Sequence, residues 1–167
     1  ERGLKVVVSG VGGDELFLGY ESFAQLPRLV SRWGALAKLP GAMPLARAAA
    51  NLQAARTGNS RWRHAPAWAR SVGGAWWLRR SVFAPEDLPA LMGAGLAGEA
   101  LVDFRAEDWL ADMAGPLSAE PRLALAQIES ATYLRNQLLR DSDWASMDHG
   151  VELRTPLVDA YLLQQLQ

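Results

Sequence analysis

Five residues near the start of the chain, Ser9-Gly10-Val11-Gly12-Gly13, form a loop built for backbone freedom, and two carboxylates, Asp14-Glu15, follow it directly. A strand-like run, Leu4 to Val8, ending in three β-branched valines, precedes the loop, and an apolar stretch, Leu16-Phe17-Leu18, comes after. Strand, glycine loop and helix start in that order make a recurrent phosphate site, because backbone N–H groups and the helix dipole both favour an anion. Two common versions are excluded. The phosphate-loop pattern needs Lys followed by Ser or Thr where Asp14-Glu15 stand. The Gly-x-Gly-x-x-Gly dinucleotide pattern fails because Glu15 occupies its last glycine position. A carboxylate facing phosphates repels them unless a divalent cation lies between. Asp14 therefore suits Mg²⁺, which prefers one or two carboxylates plus phosphate oxygens. The alternative is a plain strand–helix connection with Asp14 as N-cap.

Other chemistry-bearing residues have structural readings beside the functional ones. His64 and His149 are potential acid–base groups, and a structural hydrogen bond is the expected role of His149. Glu152 and Arg154 stand two apart on an extended piece and are expected to pair. Trp62, Trp68, Trp76 and Trp77 interleave with Arg61, Arg63, Arg70, Arg79 and Arg80. Such mixing suits single-stranded nucleic acid, but the spacing of Trp68, Val72 and Trp76 predicts an apolar helical stripe packed in a core, weakened by Gly73-Gly74.

The elements that must position these groups are mostly helical. A strand is expected at Val6 to Ser9 and a second near 151–154, ended by Pro156. Pro27, Pro40 and Pro44 with Gly34 and Gly41 predict short helices or turns over 22–45. An Ala-rich helix is expected over 45–56, a loop at Thr57 to Ser60, and a helical first turn at Pro66. Further helices are expected from Pro85 to about Gly93 and from Phe104 to Met113. The longest should run from Pro121 to Arg140, burying Ala124, Ile128, Ala131, Leu134 and Leu138, with Glu129 to Arg135 on its wet side. Trp144 to His149 and Val158 to Leu166 read as helical.

Composition bounds the answer. Half of the 167 residues are hydrophobic and 21% are charged, which fits one globular domain and excludes disorder. The absence of Cys excludes disulfide scaffolds, thiolate metal sites and cysteine nucleophiles. No run approaches a membrane span of about 18 apolar residues, and the expected location is the cytoplasm. The net charge of −1 hides segregation: −2 over 1–21, +10 over 22–85, which has no Asp or Glu, and −9 over 86–167. Such asymmetry marks an anionic partner or two halves that fold against each other. There is no internal repeat. The chain starts at Glu1 and stops within a helical pattern, so 1–167 is read as a single internal fragment of a longer protein.

The string Val8-Ser9-Gly10-Val11-Gly12-Gly13-Asp14-Glu15-Leu16-Phe17-Leu18-Gly19-Tyr20 resembles the Ser-Gly-Glu-Gly-Gly-Asp-Glu-Leu-Phe-Gly-Gly-Tyr motif of asparagine synthetases. The segment Leu138 to Asp159, with Leu139-Arg140-Asp141, Ser146-Met147-Asp148-His149 and Glu152-Leu153-Arg154-Thr155-Pro156, resembles a second motif of that family. The resemblance implies the C-terminal, mainly α part of an α/β, adenine-nucleotide α-hydrolase-like synthetase domain, with one short strand near its start. It implies a glutamine-hydrolysing ligase that uses ATP and Mg²⁺ to adenylate a carboxylate, aspartate or an analogue. Ammonia from an upstream glutaminase domain then attacks. It further implies nucleotide contacts at Ser9, Gly10, Gly12 and Gly13, a metal ligand at Asp14 and a catalytic role for Arg140. The family's upstream pyrophosphate loop is not in this sequence. Two positions depart from the motifs: Val11 replaces a glutamate, and Asp141 stands where the family has lysine, with Arg140 beside it. A catalytically inactive member, or a module binding an anionic partner through the Arg/Trp-rich segment 22–85, are the competing readings.

Overall fold

The computed structural model describes residues 3–166. Its elements are mainly helices, with one two-stranded parallel sheet. The chain divides into two compact units. One comprises the residues up to Phe23 and from Met113 onward, and the other is Ala24–Asp112.

In the first unit, strand β1 (Val6–Val8) pairs in parallel with β2 (Glu152–Arg154), in the register Val6 to Glu152, Val7 to Leu153 and Val8 to Arg154. Glu152 N–H donates to the Lys5 carbonyl and Ser9 N–H to that of Arg154, each at 2.8 Å. A three-residue strand cannot stand alone, and the second extended piece expected near 151–154 is its partner. The glycine loop leads into a short helix, α1 (Gly13–Phe17).

The longest helical run also lies in this unit. It comprises α9 (Pro121–Glu129), a π-helical segment (Ser130–Leu138) and α10 (Leu139–Met147). Pro121 sits in the first turn, where its missing N–H costs nothing, and the Glu120 carboxylate accepts from Leu123 N–H at 2.6 Å. The Thr132 hydroxyl donates to the Ile128 carbonyl, a back-bond that competes with the helix ladder. Leu139 N–H reaches five residues back to Leu134. The run therefore continues to Met147 instead of ending at Arg140.

Its buried face also differs from the expected single stripe. Ala124, Leu125, Ile128, Glu129, Thr132 and Leu134 are buried, whereas Ala131 and Leu138 are only partly covered. Glu129, expected on the wet side, is wholly buried. The face is two residues wide per turn, and the widened π segment shifts which positions point inward. After β2 come a 3-10 turn (Pro156–Val158) and a last helix (Ala160–Leu166).

The second unit holds most of α2 (Ser22–Ala37), then α3 (Ala42–Thr57), a 3-10 turn (Ser60–His64), α4 (Ala65–Trp68) and α5 (Val72–Arg80). A second 3-10 turn (Pro85–Asp87), α6 (Leu88–Met92), α7 (Ala94–Asp103) and α8 (Ala106–Ala114) complete it, α8 ending in the first unit. Helix α2 continues through Pro27 and Gly34, contrary to the break expected there, while the expected break at Pro40-Gly41 separates α2 from α3. An interior Pro costs about 3 kcal/mol. Burial of Phe23 and Leu26, at about 1.5–3 kcal/mol per side chain, offsets that.

Ala46, Ala50 and Ala54 form the closely packed face of α3. Ala65, Ala69 and Leu78 make a small core, with Leu29, Trp33, Trp62 and Trp68 packed on it. Trp68 and Trp76 do not share one helical stripe. A turn at 69–71 separates α4 from α5, and the Ser71 hydroxyl caps α5 by accepting from Gly74 N–H at 3.0 Å. Gly74 explains the break: a Cβ there would lie 2.1 Å from the Trp68 carbonyl oxygen.

Candidate active site

The loop and the distant segment 152–158 are joined twice. The β1–β2 register fixes one end of the loop, since Ser9 N–H closes the ladder on Arg154. At the other end, Gly12 and Gly13 lie against the 3-10 turn at Pro156–Val158. A Cβ on Gly12, which has φ of 90°, would fall 2.5 Å from Val158 Cγ2, and one on Gly13 would fall 3.0 Å from Leu157 Cδ1. Gly12 is thus favoured by its positive φ and by the approach of Val158, and Gly13 sits in tight contact with Leu157. A Cβ on Gly10 would meet nothing within 4 Å, so that stretch of backbone is open to approach.

The loop uses part of its own polarity. The Ser9 hydroxyl accepts from Val11 N–H at 3.2 Å, and Gly13 N–H donates to the Gly10 carbonyl at 3.1 Å. Gly12, not Asp14, is the N-cap of α1, with no side-chain capping bond. Asp14 stands one position inside the helix and is exposed. Its carboxylate leans over Gly19, where a Cβ would lie 2.2 Å from Oδ1. Only glycine at 19 leaves that carboxylate its place.

Glu15 behaves oppositely to its neighbour. It is 4% exposed. Tyr20 donates its phenol to Glu15 Oε1 at 2.9 Å, while Oε2 is buried without a partner. Burial, then the Glu15 hydrogen bond and the nearby Glu15 and Asp14 charges, push the Tyr20 phenol well above its ordinary range. Tyr20 also stacks on Phe23 with ring centroids 5.7 Å apart. Sequence reasoning missed this pair, although the five-residue spacing within the motif was its only signal. Glu15 and Leu18 border a cavity of about 580 Å³ that α9 and the π segment also line, through Gln127 and Ser130.

The remaining candidates are placed as follows. Arg140, on α10, is exposed, and its guanidinium lies 4.3 Å from the Trp144 ring centroid. No hydrogen bond or ion pair joins it to the loop among the described residues. Asp141 is exposed beside it. Glu152 and Arg154 pair as expected, Oε1 to Nε at 2.8 Å, which raises the Arg154 pKa. His149 Nδ1 lies 3.4 Å from Asp148, both exposed. His64 instead meets Glu86 at 2.7 Å and stacks on Trp68. Arg63 reaches the same carboxylate at 3.6 Å. Burial alone raises the Glu86 pKa, but the His64 hydrogen bond, its own backbone N–H and the neighbouring His64 and Arg63 bring it below the ordinary range. Trp76 is buried, and Trp77 joins Phe104 and Trp109 in an edge-packed cluster. Among the described residues no group of three metal-ligating side chains occurs.

The family model described as asparagine synthase matches residues 1–165. The chain belongs to the asparagine synthase family. No curated protein and no solved structure matches it significantly. The match embraces both motif segments that β1 and β2 bring together, and also the intervening helices, which carried no motif. Asparagine synthases are ATP-dependent ligases as a family. No helix among the described residues is long and apolar enough to cross a membrane.

Proposed function

We propose that this chain is part of an ATP-dependent amide ligase that activates a carboxylate substrate, aspartate or an analogue, in the cytoplasm. The observation that supports it most is the joining of the two motifs: residues 8–20 and 152–158 are far apart in sequence and locked together by the parallel pair and the Gly12–Val158 approach. A nucleotide would lie along Ser9 and Gly10, where the backbone is open. Gly12 and Gly13 would contribute backbone only, since their missing side chains are accounted for by Val158 and Leu157. Exposed Asp14, whose carboxylate lies over Gly19, has the donor type and the access that Mg²⁺ needs. Bound there, Mg²⁺ would supply charge neutralisation for the leaving pyrophosphate. Asp14 would hold it, and the 3-10 turn at 156–158 packs against the loop at Gly12 and Gly13. The pyrophosphate loop and a glutaminase domain would lie upstream in a longer chain.

The amine half of the reaction is altered in this reading. Val11 cannot accept a proton, and its N–H already serves Ser9. The cation near the lysine position is Arg140, a group suited to stabilising charge and not to proton transfer. The full-length protein should show carboxylate-dependent ATP–pyrophosphate exchange. Asp14→Ala should cut that exchange about 10²–10³-fold and leave the melting temperature nearly unchanged, because the side chain is exposed. Undiminished exchange in Asp14→Ala overturns the metal role. Efficient conversion of aspartate to asparagine overturns the altered amine half-site.

A further inference from the structure

The second unit holds a cavity of about 300 Å³ lined by α2, the first 3-10 turn and α5. Leu26, Leu29 and Leu78 give it apolar walls, and Trp62, Arg61 and Arg79 also line it. That size is at the lower end of small-molecule pockets, and apolar walls with few polar groups are their usual lining.

The charges are the unusual part. Arg61 is held rigidly by neutral acceptors alone: Nε donates to Asn59 Oδ1 at 3.0 Å, and Nη1 donates to the Arg79 carbonyl at 3.2 Å and to that of Ser81. Its Nη2 makes no hydrogen bond among the described residues. The Arg79 guanidinium has neither a hydrogen bond nor an ion pair there. No acidic residue lines the cavity, and residues 22–85 contain none. The nearest in sequence are committed elsewhere, Glu86 to Arg63 and His64, and Asp87 to Ser60 and the Ala84 N–H. Two uncompensated cations beside an apolar cavity repel each other and attract an anion, and a guanidinium matches a carboxylate with two parallel donors.

We propose that this cavity binds a small amphipathic carboxylate, its apolar body against Leu26, Leu29, Leu78 and Trp62 and its carboxylate on Arg79 and the free edge of Arg61. This site is lined by residues of the second unit alone and does not rest on the ligase reading. Calorimetric titration of the full chain, without ATP, with octanoate, octan-1-ol and inorganic phosphate tests it. Octanoate should bind at least tenfold more tightly than octan-1-ol, and phosphate should not compete at equal concentration. Arg79→Gln, at an exposed position that leaves the fold intact, should weaken octanoate about tenfold and leave octan-1-ol unchanged, and Arg79→Lys should recover part of the loss. Equal affinity for acid and alcohol, no binding of octanoate at millimolar concentration, effective competition by phosphate, or an unaltered Arg79→Gln variant would each overturn the proposal.

Discussion

Glycines do different work in the two units. In the first, Gly12, Gly13 and Gly19 make room for Val158, Leu157 and the Asp14 carboxylate, and the result of that crowding is an exposed acid beside open backbone at Gly10. In the second, Gly74 makes room for the carbonyl of Trp68 and the Ser71 hydroxyl, and the result is a tighter turn between two helices. Close approach in one unit presents a polar group; in the other it closes a core. The acids divide the same way. Asp14 and Glu15 are neighbours with opposite exposure, whereas Glu86 and Asp87 are both consumed by partners of their own unit.

The largest expected break comes from adding one methyl group. Gly74→Ala drives a Cβ into a backbone carbonyl that cannot move alone, and overpacking of this kind costs about 1–3 kcal/mol. Gly10→Ala, whose Cβ meets open space, should change stability by less than about 0.5 kcal/mol, yet lower pyrophosphate exchange. Denaturant melts of both variants check the pair. Equal stability losses would remove the contrast between the units.

A second effect, of comparable size, sharpens it with pH. The raised Tyr20 pKa means the folded state holds that proton more tightly than the unfolded chain. Its contribution is complete below about pH 10, the ordinary tyrosine value, and is lost as pH rises beyond it. Tyr20→Phe should abolish that alkaline loss. It should also cost about 1–3 kcal/mol at neutral pH by leaving both Glu15 oxygens buried and unpaired. A variant as stable as the parent would show that the bond contributes nothing.

The smallest effect lies in the second unit, at acid pH. Glu86 has a lowered pKa, so its contribution is present above the ordinary value of 4.5 and fades as pH falls below it. Glu86→Gln should cost less than about 1 kcal/mol, since the pair is partly solvated, and should flatten the acid limb of stability against pH. Six of the seven tryptophans lie in Ala24–Asp112, so their fluorescence follows this unit. Acid loss that persists unchanged in Glu86→Gln would refute the assignment.

What could be read in advance was local. The β-branched run, the loop glycines, Pro121 at a helix start and the Glu152–Arg154 spacing each carry their signal within a few residues. What escaped depends on partners distant in sequence or on tertiary context. Nothing near Pro27 announces the burial of Phe23 and Leu26 that carries α2 through it. Helix α7, with Gly95 and Gly98 inside, has weak propensity and was not anticipated. The inward turn of Glu129 follows a two-residue-wide face that a one-per-turn pattern does not show. At the candidate site, Asp14 was legible as a residue type. The leaning of its carboxylate over Gly19, and the burial of Glu15 under Tyr20, were not.

The parallel pairing of β1 with β2 has a consequence for how the protein is made. Residues 24–112 are contiguous and can acquire their contacts while the rest is still being translated. The first unit cannot, because Val6 waits for Glu152. At about 5–20 residues per second, that delay is roughly 7–30 seconds. Throughout it Val6, Val7 and Val8 lack β2 as a ladder partner, and Gly12 lacks its neighbour Val158. The first unit is therefore completed last, and its closure waits on the strand that brings the two motif segments together.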